Sequence, residues 1–154
     1  MKMKVMMVAA AVLALGLSGC NGDVRATKLT PELLENQQAV MKISGRLTPP
    51  DRAMFAKYLL SRRMATSGLE GALLTPEGKD PATVAQAIEA ATKMQALVDE
   101  RDAKAAVFDV KLAQLEGPMK ASNYAPGPTQ AYNDVLDQKN AMIGAYNARF
   151  QAGK

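Results

Sequence analysis

The residue types that carry most protein chemistry are scarce in this chain. Its 154 residues include no His and a single Cys, Cys20. A Ser-His-Asp triad, a Cys-His dyad, a zinc finger and an internal disulfide are therefore excluded. A serine activated by lysine would remain, yet no serine is followed by lysine at the Ser-x-x-Lys spacing. We expect no enzymatic activity and no metal site.

Cys20 follows a segment that is typical of a secretory signal peptide. Lys2 and Lys4 supply positive charge, and an apolar run of thirteen residues occupies positions 5–17. At about 1.5 Å per residue this run covers only about 20 Å, less than the roughly 30 Å of a bilayer's hydrocarbon core. The segment therefore predicts cleavage rather than a membrane-spanning anchor.

The residues before the cysteine, Leu17, Ser18 and Gly19, resemble the lipobox of bacterial lipoproteins. The resemblance implies that the lipoprotein signal peptidase recognises these three residues and removes residues 1–19. It also implies that Cys20 carries a thioether-linked diacylglycerol and an N-acyl chain such as palmitate, with no other cofactor. Several acyl chains make a durable anchor, because each buried methylene contributes about 0.8 kcal/mol.

The charge and the position after the cysteine bear on partners and location. Removal of residues 1–19 lowers the formal charge from +4 to +2. The longest remaining basic run is Arg62-Arg63, too short for a surface that tracks phosphates, so no nucleic-acid partner is expected. Asn21, rather than an aspartate, follows Cys20. By analogy with the lipoproteins of enteric bacteria, this favours the periplasmic face of the outer membrane.

Residues 20–29 are predicted to be the lipidated N-terminus and a short tether, and residues 30–154 a single helical domain. Threonine or aspartate before proline marks three helix starts, since such a residue caps free amide groups and proline suits the first helical position. All eight prolines lie at the expected junctions before, between or after helices. The predicted helices span 31–43, 49–66, 81–116 and 130–150.

The third predicted helix has the clearest periodicity. Apolar residues recur every seven positions from Val84 to Leu112, and a second series from Ala87 to Leu115 is interrupted only at Arg101. Such a seam is typical of helices that pack side by side, and its many alanines favour close approach of a partner helix. The charged residues 99–102 leave open whether the segment forms one helix or two.

No segment has the alternating pattern of a strand, so the sequence predicts an all-α fold. The simplest arrangements are a small antiparallel helical bundle or an extended helical hairpin. Residues 45–112 also resemble uncharacterised small helical bacterial lipoproteins, in the motif Leu47-Thr48-Pro49-Pro50-Asp51-Arg52 and in Thr83-Val84 before a charged helix. That resemblance implies no particular activity.

These features predict a lipid-anchored protein that acts by protein-protein interaction, in an accessory or structural role at the cell envelope. Its partner would be an envelope protein or a second copy of itself. The alternative is a periplasmic immunity or inhibitor lipoprotein directed against a toxin or a lytic enzyme. Candidate partner contacts are the basic pair Arg62 and Arg63, and Tyr124, an aromatic residue in an irregular segment where rigid rings often anchor binding.

Overall fold

The computed structural model describes residues 22–67, 73–75 and 77–152, and this part of the chain is all-α, as predicted. A short 3-10 turn, Val24–Ala26, precedes the helices. They are α1 Pro31–Glu35, α2 Gln37–Arg46, α3 Pro49–Thr66, α4 Val84–Ala121 and α5 Pro126–Ala152. The described residues contain no strand, although Lys28 and Thr83 form one antiparallel bridge.

Threonine side chains cap three of the helices. Thr30, Thr48 and Thr83 each accept a hydrogen bond from the amide three residues ahead, at 3.3–3.4 Å. Each bond satisfies an amide that has no partner inside the helix. The predicted range of 49–66 for the second helix is confirmed, because α3 spans these residues.

The first predicted helix, 31–43, is wrong in two respects. Asn36 leaves the helical conformation (φ −85°, ψ 96°), and its side chain caps α2 by accepting from the amide of Ala39 at 3.1 Å. The segment is therefore two helices. Helix α2 also continues through Gly45 to Arg46 instead of stopping before the glycine. The Nε atom of Arg52 donates to the carbonyl of Ser44 at 2.9 Å, which satisfies part of this helix end.

The long predicted helix is a single unbroken helix, α4, with different ends. Thr83 rather than Asp80 is its N-cap. The predicted stop at Gly117 is wrong, because the helix continues through Pro118 to Ala121. Pro118 has no amide hydrogen to donate to the carbonyl of Gln114, and its ring crowds that carbonyl. The turn after it is held by hydrogen bonds from the amides of Ser122 and Tyr124 to the carbonyls of Pro118 and Met119, both at 3.0 Å.

Helix α5 begins four residues earlier than predicted. Its first residue is Pro126, so the connection between α4 and α5 consists of residues 122–125 only. Proline suits the first helical turn because an amide there has no partner in the helix. For the same reason Pro128 fits within that turn.

Helix α4 contributes to two packing regions. Its first half packs against α3 and the residues before α1, and its second half packs against α5. We call residues 22–67, 73–75 and 77–97 the head. The buried residues of the head form one core: Ile43, Leu47, Phe55, Tyr58, Leu73, Val84, Ala87, Ile88, Ala90 and Ala91. Leu73, in the connection between α3 and α4, is part of this core.

The second half of α4 and helix α5, residues 98–152, form an antiparallel pair that we call the hairpin. Contacts link Asp109 to Lys139 and Lys104 to Tyr146, so positions rise along α4 as they fall along α5. In the hairpin Leu112 and Tyr146 are buried, whereas the other seam residues are half-buried because only two helices meet there. The alanine-rich seam is thus occupied within the chain, by α3 in the head and by α5 in the hairpin.

Candidate functional site

The predicted lipidation site lies outside the described residues. This applies to Leu17, Ser18, Gly19 and Cys20 and to the whole predicted signal peptide, residues 1–19. The described chain begins at Gly22, two positions after Cys20. Among the helices of the described part, none combines the length and the apolar character that crossing a bilayer requires.

The first described residues are bound to the head. The carbonyl of Gly22 accepts a hydrogen bond from Nη2 of Arg46 at 3.0 Å. The carboxylate of Asp23 caps the 3-10 turn by accepting from the amide of Arg25 at 2.9 Å. The Arg25 side chain in turn lies 3.7 Å from the carboxylate of Asp51, in the first turn of α3.

The next residues pair with the start of α4. The amide of Leu29 donates to the carbonyl of Ala82 at 2.9 Å, and the amide of Val84 donates to the carbonyl of Thr27 at 3.0 Å. Leu29 also packs on the core of the head. Residues 22–29 therefore belong to the head and do not form a free tether. Sequence reasoning missed this because bonds between residues some 55 positions apart leave no local pattern.

A polar cluster joins the two helices of the hairpin. The hydroxyl of Tyr146 donates to Oε1 of Glu100 at 2.5 Å and accepts from Nζ of Lys104 at 2.8 Å. Lys104 also donates to the same carboxylate oxygen at 2.9 Å, and Arg149 lies 3.8 Å from the other oxygen. The hydrogen bonds from Tyr146 and Lys104 hold the pKa of Glu100 below its ordinary value. The cluster thus fixes the register of α4 against α5.

The charged segment 99–102 also contributes to the contact between α4 and α5. The guanidinium of Arg101 lies 5.8 Å from the centroid of the Phe150 ring on α5. This cation-π contact explains how a charged side chain interrupts the apolar seam without leaving the interface. Sequence periodicity marks Arg101 as an exception, and the partner ring accounts for it.

The outer face of the hairpin carries an apolar stripe. Val107 and Val110 are 56% and 59% exposed. They lie in a row of exposed uncharged residues: Ala103, Ala106, Val107, Val110, Ala113 and Gly117. The row occupies one side of α4 over about 21 Å at 1.5 Å per residue. We call it the outer stripe. Sequence analysis singled out the inward seam and missed this second row.

The connection at the end of the hairpin has an unusual backbone. Asn123 and Tyr124 both have positive φ angles, 51° and 61°. The left-handed conformation costs a non-glycine residue about 1–2 kcal/mol. It is held here by a hydrogen bond from the Tyr124 amide to the carbonyl of Met119 at 3.0 Å. The Tyr124 side chain is 59% exposed, so it faces solvent and does not cover the end of the hairpin.

The structure does not bring the three candidate partner contacts together. Arg62 is half-buried. Burial raises the pKa of Tyr58 above its ordinary value, and the positive charge of Arg62 offsets part of this rise. Arg63 is exposed, and successive helical side chains point about 100° apart, so the pair does not form one basic patch. Both arginines lie in α3, which packs on the first half of α4. Tyr124 lies at the other end of α4, three residues after its last residue, Ala121.

A shallow polar depression of about 130 Å³ lies beside the start of α4. It is lined by Thr75, Glu77, Gln86, Glu89 and Ala90. A hydrogen bond with Thr75 lowers the pKa of Glu77, and Glu89 is paired with Lys93 at 2.7 Å. The described residues contain no group of three or more His, Cys, Asp or Glu side chains placed to hold a metal ion.

Comparison with known proteins found no match, since no family model, no curated protein and no solved structure is significantly similar to this chain. The described part of the chain is an all-α protein that consists of a small head and a two-helix hairpin.

Proposed function

We propose that this chain is a lipid-anchored protein of the bacterial cell envelope that acts by binding another protein and not by catalysis. The attachment is supported by the resemblance of residues 17–20 to a lipobox. Asn21 supports a place on the periplasmic face of the outer membrane. The observation that carries the binding role is the outer stripe of the hairpin.

The outer stripe supports binding because its residues have no packing role within the described chain. Residues with such a role, including Ala91 and Leu112, are buried against α3 and α5. The valines of the stripe instead remain more than half exposed, with alanine and glycine on either side. Small side chains let another helix approach closely, and burial of apolar area is the main driving force of association. An envelope protein or a second copy of this chain would fit as the partner.

Site-specific crosslinking in cells tests this role. A photoreactive amino acid at Val107 is expected to give one discrete adduct, whose mass identifies either an envelope protein or a second copy. The matched control is the same amino acid at Gln138, an exposed polar position of α5, which is expected to give no adduct. The same adducts, or none, from both positions would contradict a role for the outer stripe.

The end of the hairpin favours a second candidate, an immunity or inhibitor protein. An exposed tyrosine on a constrained backbone resembles the rigid aromatic anchors that dominate many interfaces. In that role the purified protein would abolish the activity of a toxin or lytic enzyme at a one-to-one ratio. Tyr124→Ala would weaken inhibition, whereas Val110→Ala would leave it unchanged. The reverse ranking of the two variants would favour the outer stripe.

A further inference from the structure

The bonds of residues 22–29 leave almost no free chain between the head and Cys20. The carbonyl of Gly22 is held by Arg46 at 3.0 Å. From Gly22 back to Cys20 there are two residue steps, which span at most about 7 Å. A lipid attached at Cys20 would therefore bring the end of α2 that carries Arg46 to the membrane surface. We propose that the outward face of α2 lies against the lipid headgroups, an inference that rests on the proposed lipidation.

The composition of this face fits a membrane surface. Met41, Lys42, Gly45 and Arg46 are exposed and share one face of α2, since positions three and four residues apart are neighbours on a helix. Helix α2 contains no acidic residue. Lys42 and Arg46 thus present positive charge beside the chain's attachment point, and anionic headgroups attract such charge.

Two further features fix the orientation of α2. Ile43 and Leu47 are buried in the core of the head, so the opposite side of the helix must face outward. Met41 is 65% exposed on that outward side. An apolar side chain flanked by a basic one is the combination that interfacial helices place at the boundary between headgroups and acyl chains. The occupant of this face is therefore a lipid surface.

The experiment uses the chain from residue 20 onward, which retains every described residue. Its single thiol, Cys20, is coupled to maleimide headgroups in vesicles of phosphatidylethanolamine and phosphatidylglycerol. Acylation of each lysine is then measured by mass spectrometry for the coupled and the free chain. The rate at Lys42 is expected to fall several-fold on coupling. An unchanged rate at Lys42 would overturn the proposal.

Lys93 provides the internal control. Lys93 is exposed on α4. Helix α3 packs against both α2 and α4, so it lies between Lys93 and the outward face of α2. The acylation rate of Lys93 is therefore expected to stay the same. Equal protection of Lys42 and Lys93 would overturn the proposal, because it would show general shielding by the vesicle.

A variant with a long flexible Gly-Ser linker between Asn21 and Gly22 separates tether length from other causes. The linker is expected to restore the acylation rate of Lys42 to that of the free chain. Continued protection would contradict the role of the short tether, and the charge of Lys42 and Arg46 would then be what holds this face at the headgroups. Coupling here is chemical, so the result of this test does not depend on whether cells lipidate Cys20. Lipidation in cells is measured separately, by the intact mass of the protein extracted from cell membranes.

Discussion

At the scale of single residues, Tyr146 has the most specific role in the described chain. Its ring is buried at 4% exposure, and its hydroxyl connects Glu100 and Lys104 across the hairpin. Tyr146→Phe keeps the ring and removes this connection. Because hydrogen bonds to charged groups are worth about 1.5–3 kcal/mol and these partners are partly solvated, we expect a loss of about 1–2 kcal/mol in the free energy of unfolding. Urea denaturation measures it.

Tyr124→Phe is the matched control for that substitution. Tyr124 is 59% exposed, and phenylalanine keeps the same constraints on its left-handed backbone. We expect no measurable change in the free energy of unfolding. If both variants lost the same amount, the stabilising effect of the Tyr146 hydroxyl would be disproved.

The same cluster predicts a dependence of stability on pH. Hydrogen bonds from Tyr146 and Lys104 lower the pKa of Glu100 in the folded chain below its ordinary value of 4.5. The contribution of Glu100 to stability is therefore full above pH 4.5 and disappears as the pH falls through the folded-state pKa. Tyr146→Phe removes the largest cause of the shift. We expect the free energy of unfolding to fall more in the wild type than in this variant on acidification below pH 4.5. Equal losses in the two proteins would contradict this prediction.

At the scale of helices, the alanines of α4 determine how closely α3 can approach. Ala91 is fully buried, so a larger side chain has no space. Ala91→Leu is expected to lower the free energy of unfolding by about 1–3 kcal/mol, the usual cost of overpacking a core. Thermal denaturation followed by circular dichroism measures the change.

Ala106→Leu makes the same replacement on the outer stripe, where the position is exposed. Alanine and leucine have similar helix propensities, so this control is expected to keep the stability of the wild type. A comparable loss at both positions would mean that helix propensity, and not packing against α3, causes the effect.

The helix starts capped by Thr30 and Thr48, the all-α class and the inward seam could be predicted because they depend on neighbouring residues. Thr48 before two prolines shows a cap and a first turn without any tertiary information. The continuation of α4 through Pro118 is accompanied by hydrogen bonds from the amides of Ser122 and Tyr124, which a proline in the sequence does not reveal. The break at Asn36 depends on a side chain that caps α2, in competition with one continuous helix.

The candidate site was predictable only in part. The position of Tyr124 in the irregular segment 122–125 predicts that its side chain is exposed. The positive φ angle of Tyr124 accompanies a hydrogen bond from its amide to the carbonyl of Met119, which the sequence does not indicate. The attachment of Gly22 to Arg46 joins residues 24 positions apart, and no sequence period indicates it.

At the scale of the whole molecule, α4 connects the segment nearest the proposed anchor with the end of the hairpin. Its 38 residues span about 57 Å at 1.5 Å per residue. The first residue, Val84, is bonded to Thr27, and Tyr124 follows the last turn. The proposed lipid-binding face and the proposed protein-binding stripe thus lie on separate parts of the molecule, so both can be occupied at once.

Lipid attachment at Cys20 is the central claim, and the intact mass of the protein extracted from cell membranes tests it most directly. We predict a chain of residues 20–154 that carries a diacylglycerol and an N-acyl chain. A Cys20→Ala variant is expected to remain as unprocessed precursor and to be released from the membranes. An unmodified chain in the wild type, or a Cys20→Ala variant that still stays with the outer membrane after a carbonate wash, would contradict the account.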